Sequence, residues 1–213
     1  VSPEELTKRL LHAYGRTYAD EAGITLRDKP APLYQLLVLS ALCSIRIRAQ
    51  TATAAARELR AAGLRTPRAM ADSGWQQRVD ALGRAHYVRY DESTATALGD
   101  GALLVLDRWR GDLRRLREEA GGRPPAIREL LQEVPRIGPV GAEIYCREAQ
   151  VAWPELRPAF DARTRETAAG LGLPHTAAGL GTLAPDTDTA RLAAALVRIR
   201  LAGGDAVERL RDA

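Results

Sequence analysis

Lysine is almost missing from this chain of 213 residues: Lys8 and Lys29 are the only two, and every other basic position except the histidines is arginine. Chemistry that needs a side-chain amine beyond residue 29 is therefore excluded. The arginine bias has two readings of equal weight, since its planar fork suits phosphate contacts but a GC-rich genome yields the same usage without any binding. Cysteine is as scarce. Cys43 and Cys146 are too few for a disulfide framework, and both fall in apolar helical patterns where a thiol is a small buried side chain. No apolar run approaches the roughly 18 residues of a membrane span, and the amino terminus lacks a basic-then-apolar signal, so a cytoplasmic protein without a membrane partner is expected. No segment alternates apolar and polar residues for long enough to make a convincing strand, which leaves an all-α fold.

What is present suffices for a core, with 46% hydrophobic residues. The net charge of +4 is compatible with a polyanionic partner without demanding one. Ser2, Pro3 and Glu5 make a capping-box start, and Leu6, Leu10, Tyr14 and Tyr18 repeat down one face of a first helix. Residues 20 to 32 mix charge, glycine and proline without periodicity and read as a linker, with a boundary near residue 28. Apolar and alanine-rich helices follow from Leu33 and from about Gln50, then short helices from Pro67 and Trp75. A longer one from Asp91 carries Leu98, Leu103, Leu104, Leu106 and Trp109, and a charged one spans Asp112 to Ala120. The last strong helix runs from about Thr187 to Ala202 and stops at Gly203 and Gly204.

The densest punctuation lies between Val134 and Gln150. A helix opened by Pro125 places Ile127, Leu130, Leu131 and Val134 on one face. Pro135 and Gly138 break it, and Pro139 starts a second helix running from Val140 to about Gln150. So tight a turn leaves backbone N–H groups pointing outward at a helix N-terminus, a place that attracts anions. Arg136, with Arg147 further along, adds formal charge. Taken alone, a helix, a glycine turn and a helix is more often ordinary packing.

Leu131 to Ala142, LQEVPRIGPVGA, resembles the helix-hairpin-helix of the endonuclease III superfamily of DNA glycosylases, whose hairpin usually reads LPGIG or LPGVG. About twenty residues downstream, AFDARTRETAAGLGLP resembles that family's VDTHV segment, and upstream LYQLLVLSALCSIRIRAQTATAA is similar to its early helix with a serine-alanine pair, here Ser40 and Ala41. The resemblance implies two helical domains. Residues 28–151 would form a helical barrel ending in the hairpin, residues 1–27 and 152–213 would pack as a second domain, and a cleft between them would hold the substrate.

It also implies a site. Asp161 would be the catalytic carboxylate, stabilising the positive charge that builds on a deoxyribose as its base departs and helping to activate water. From the isolated sequence alone, Asp161 is more readily an N-cap. Pro135, Arg136, Ile137, Gly138, Val140 and Gly141 would contact double-stranded DNA. Relatives that also cut the strand use a hairpin lysine as Schiff-base nucleophile; that position is Val140, so base removal without lyase activity is expected. The family's four-cysteine iron–sulfur loop has no counterpart after Cys146, so no cluster is expected. Of the aromatics, the loop-borne Tyr87 and Tyr90 are the candidates for a pocket that receives an extruded base, the others being assigned to core. Two departures stand against activity: Arg136 replaces the first hairpin glycine, and Ala162 and Arg163 replace the threonine-histidine pair. A monomeric, nucleoid-associated base-excision-repair glycosylase is thus expected, the alternative being a non-catalytic helix-hairpin-helix protein that binds DNA or scaffolds repair.

Overall fold

The computed structural model describes residues 1–212, and among these every regular element is helical. The chain divides into two compact units, Ala19–Cys146 and Val1–Tyr18 with Arg147–Ala213. No helix among the described residues is long and apolar enough to cross a membrane.

In chain order, α1 is Pro3–Tyr14, α2 Tyr18–Glu21, α3 Pro30–Cys43, α4 Ala49–Ala61, α5 Pro67–Asp72, α6 Trp75–Arg84 and α7 Asp91–Trp109. There follow α8 Leu113–Glu119, α9 Pro124–Leu131, α10 Pro139–Ala149, α11 Ala162–Gly170, α12 Ala177–Gly181, α13 Thr189–Ala202 and α14 Gly204–Asp212.

The unit Ala19–Cys146 is organised on α3, whose residues from Leu33 to Leu42 are all buried. A helix apolar on every side has to be surrounded, and α4 and α8 pack on it, while α6 joins α4 to α7. Two polar side chains inside this helix find partners. Ser40 Oγ donates to the Leu36 carbonyl at 2.8 Å, and Gln35 Nε2 donates to the Arg65 carbonyl at 3.3 Å. The long α7 buries Ala95, Leu98, Gly99, Ala102, Val105 and Trp109, whereas Leu103 is 58% exposed. Its inward stripe is thus built from small residues as much as from leucines, and Leu103 belongs to the other face.

At Gly99 the small residue makes room for a cation. Arg78 of α6 is 8% exposed and donates to three carbonyls, Ala95 at 2.8 Å, Ser73 at 2.9 Å and Met70 at 3.1 Å, which ties α5, α6 and α7 together. Its guanidinium rests on Gly99, where a Cβ would stand 2.7 Å from Nη2 and 3.0 Å from Cζ.

The other unit is centred on α13, against which α1, α11 and α14 pack. Its core includes Leu6, Leu10, Phe160, Leu171, Leu192, Leu196, Ile199 and Leu210. Ser2 caps α1 by accepting the Glu5 N–H at 3.2 Å. The helix ends at Gly15, where a Cβ would lie 2.3 Å from the Leu11 carbonyl oxygen. Tyr18 therefore opens α2 instead of continuing the first helical face. At the other end Gly203, with φ of 86°, stops α13 as expected, but α14 begins at once and buries Ala206 and Leu210 at helical spacing.

The Arg78–Gly99 contact fixes the sign of a substitution. Gly99→Ala should cost about 1–3 kcal/mol by overpacking against a guanidinium held by three carbonyls. In an Arg78→Met background the same change should stabilise by up to about 1 kcal/mol, because alanine is the better helix former. Urea unfolding of the four proteins of this cycle reads the reversal.

Candidate nucleic-acid interface

Between α9 and α10 the chain turns back within seven residues, Gln132 to Gly138. Val134 and Ile137, 6% and 3% exposed, pin this turn to the interior, and Val134 Cγ1 would stand 3.2 Å from a Cβ placed on Gly101 of α7. The Ile137 N–H donates to the Val134 carbonyl at 3.0 Å. Between the two anchors Arg136 takes a φ of 70°, the left-handed conformation that glycine adopts at no steric cost. Arginine therefore keeps the backbone path of a glycine turn at the expense of strain. Two contacts hold it there: its carbonyl lies 3.2 Å from the Ser44 hydroxyl, and its Nη2 donates to Ser93 Oγ at 2.6 Å.

The outward side of the turn consists of Arg136, Gly138, Pro139 and Val140, with Val140 46% exposed. The N–H groups of Gly138, Val140 and Gly141 meet no acceptor among the described residues. These are the orphan donors of a helix start, aimed where the dipole favours an anion. Gly138 differs from the glycines that packing demands: its φ lies outside the left-handed region, and a Cβ would meet nothing within 4 Å. Nothing inside the protein calls for glycine there, and the missing side chain leaves the backbone open to approach. Of the remaining expected contacts, Pro135 is half-buried, while Ile137 and Gly141 turn their bodies inward.

Three further arginines stand on the segments that meet Arg136 through Ser44 and Ser93. Arg46 and Arg48 lie in the α3–α4 connection that also carries Ser44, and Arg89 precedes α7, its guanidinium 5.2 Å from the centre of the Tyr90 ring. Ser93, the partner of Arg136, donates to the Tyr90 carbonyl at 3.2 Å and so links the two groups. Neither these three nor Arg136 is ion-paired with a carboxylate among the described residues.

The aromatic candidates separate. Tyr90 is half-buried beneath Arg89. Tyr87 is 2% exposed, its hydroxyl 3.2 Å from Thr94 Oγ1, and burial pushes its pKa up. It is a core residue and does not line an open surface. The left-handed His86, φ 57°, turns the chain so that the next side chain points inward. Trp75, assigned to the core by its helical setting, is 41% exposed with its indole N–H on Thr96 Oγ1 at 3.0 Å. Leu42 is fully buried.

Asp161 lies in the other unit, as the N-cap of α11. Its Oδ1 accepts the Thr164 N–H at 2.8 Å, and its Oδ2 accepts from Arg147 Nη1 at 2.7 Å, the side chains being 14% and 7% exposed. Capping engages one oxygen only. Arg147, whose sequence position suggests a phosphate contact, is instead buried on the last turn of α10 with Asp161 as its partner. A charged side chain inside a helical pattern gives no direct sign in the sequence of which acid it meets.

No protein-family model and no curated protein matches the sequence. Solved structures do. A trapped covalent endonuclease III–DNA intermediate, an estranged-adenine complex, superposes with a TM-score of 0.53 at 14% identity, over 93% of this chain and 86% of that one. A non-covalent endonuclease III–DNA complex gives 0.52 over the same shares, also at 14% identity. This is an endonuclease III-like helix-hairpin-helix fold.

An iron–sulfur cluster of the endonuclease III type needs four thiolates. The residues present do not fit it: of the two cysteines, Cys146 is buried with its thiol pushed up to about 12, and Cys43 is half-buried. Among the described residues no three of histidine, cysteine, aspartate and glutamate are grouped to hold a metal ion.

Strain at residue 136 is measurable. Arg136→Gly should raise the unfolding midpoint, with a gain of about 0.5–1 kcal/mol from relief of the left-handed arginine. Arg136→Val should lower it, because a β-branched side chain tolerates that φ least.

Proposed function

We propose that this protein is a monofunctional DNA glycosylase of base excision repair, which binds double-stranded DNA through the hairpin and hydrolyses the N-glycosidic bond of a damaged or mispaired base. The observation that carries the reading is the capping carboxylate of Asp161, in the segment after the hairpin of an endonuclease III-like fold. The open backbone at Gly138 and the unneutralised arginines around it support the DNA contact.

On this reading a DNA phosphate is received by the N–H groups of Gly138, Val140 and Gly141, with Arg136 beside it. The C1′–N bond then breaks with its electron pair leaving on the base, and the Asp161 carboxylate faces the oxocarbenium character of the sugar. Water adds to C1′ and gives its proton to that carboxylate, which passes it through solvent to the departed base, so the products are a neutral free base and an abasic site and the carboxylate is regenerated. Val140, an aliphatic side chain, cannot add to C1′ through nitrogen, and the reaction ends at hydrolysis. No iron–sulfur cluster, metal or second subunit enters this scheme, and the protein acts as a monomer in the nucleoid.

A second reading, a non-catalytic DNA-binding or repair-scaffold protein, is favoured by one observation: the Asp161 carboxylate already has a cation, Arg147, at 2.7 Å. Base release from a panel of lesion-bearing duplexes separates the two. Asp161→Asn should reduce the rate by about 10²-fold or more, while DNA affinity stays within about twofold; full activity in that variant removes Asp161 from its role. Strand cleavage by the wild type without added base would contradict the hydrolytic ending.

The contact surface has its own test. Arg136→Ala should weaken binding alike on all sequences and make the salt dependence shallower, by about one unit in the slope of log affinity against log salt. Gly138→Ala should weaken binding with little change in folding stability, since the added Cβ meets nothing within 4 Å.

A further inference from the structure

The segment that carries Asp161 is fastened to α10 at two points. Gln150, directly after the last residue of α10, is fully buried, and its amide pairs with the peptide of Ala159 from both sides. Oε1 accepts the Ala159 N–H at 2.9 Å, while Nε2 donates to the Ala159 carbonyl at 3.2 Å and to the Arg147 carbonyl at 2.8 Å. The backbone of Gln150 takes part as well, its carbonyl accepting from Arg157 Nε at 2.7 Å. One helical turn back, Arg147 grips the carboxylate two residues beyond Ala159.

Stability alone is a poor account of this arrangement. A buried ion pair contributes little net stability against an apolar replacement of similar volume. Arg147 is an expensive case, because its Nε is buried without a hydrogen-bond partner among the described residues. Its placement does fix a direction. With Oδ1 held by the Thr164 N–H and Oδ2 by Arg147, both side-chain torsions of Asp161 are set, and each oxygen retains a lone pair. Gln150 does the same for the backbone: its amide supplies one acceptor and two donors to three backbone groups. Glutamate would keep the acceptor for the Ala159 N–H but turn its other oxygen, also an acceptor, onto the two carbonyls, and leucine or methionine would satisfy none of the three.

We infer that Arg147 and Gln150 are positioning residues, a two-point clamp that aims the Asp161 carboxylate at the deoxyribose without touching substrate. The inference rests on the glycosylase reading for its function and on the geometry of one unit for its structure, and the experiment treats these separately.

Arg147→Met, Arg147→Lys and Gln150→Met are compared with wild type in single-turnover base excision, in DNA affinity, in thermal unfolding and in amide hydrogen exchange. In excision, Arg147→Met and Gln150→Met should each slow the chemical step by roughly 10- to 100-fold, as expected of a misplaced reacting group, with DNA affinity held within about twofold. Arg147→Lys, which keeps a cation, should recover part of that loss. In exchange, the Ala159 amide should lose protection in Gln150→Met and the Thr164 amide in Arg147→Met, while core amides of α13 keep theirs. Wild-type rates in both methionine variants, rate losses matched by equal losses of affinity, or a lysine variant no better than methionine would overturn the clamp. If the wild type releases no base from any duplex tested, the glycosylase reading falls instead. The clamp is then decided by exchange alone: unchanged protection at Ala159 and Thr164, or protection lost equally in the α13 core, refutes it.

Discussion

A carboxylate at the start of a helix points wherever the donors around its two oxygens direct it. For Asp161 those donors are one backbone N–H, belonging to Thr164, and one buried guanidinium, belonging to Arg147. The unit around α13 depends on this pairing for more than a helix cap, since the same stretch also contributes Phe160 to the core. A cap and a reactive group are usually weighed as competing explanations of an aspartate. Here the geometry permits both, because capping occupies a single oxygen and leaves the other to a charged partner.

The hairpin solves a different problem with equally local means. A reversal between two helices needs a residue with positive φ, and arginine stands where glycine would be free of strain. Buried neighbours on either side, Val134 and Ile137, together with hydroxyls from Ser44 and Ser93, hold the backbone in that conformation. The strain sits beside the exposed N–H groups of the turn, which is where residues forced into sparsely populated conformations tend to gather in functional proteins.

Most of the helices, the hairpin and the capping role of Asp161 were legible in the sequence because each is written within a few residues, whereas α12 and α14 were not read. Proline at the first turn, glycine at the stop and apolar residues at helical spacing are local signals. What escaped depends on residues far apart in the chain. Arg147 reads as one more exposed arginine until the chain, fourteen residues on, brings Asp161 back to it. Tyr87 reads as a loop aromatic, and a single left-handed residue, His86, turns it inward. Tyr18 fits the period of the first helix, but Gly15 has no room for a side chain and ends that helix early. On α7 the leucines outweigh alanine and glycine in any pattern of hydrophobicity, yet the buried stripe includes Gly99 because Arg78 needs the space.

The left-handed arginine also bears on how this turn can change over generations. Every arginine codon becomes a glycine codon by substitution of its first base, so a relaxed version of the turn is a single mutational step away. Arginine at residue 136 thus holds the turn one base change away from a relaxed form, with the folding stability that glycine would restore left unused.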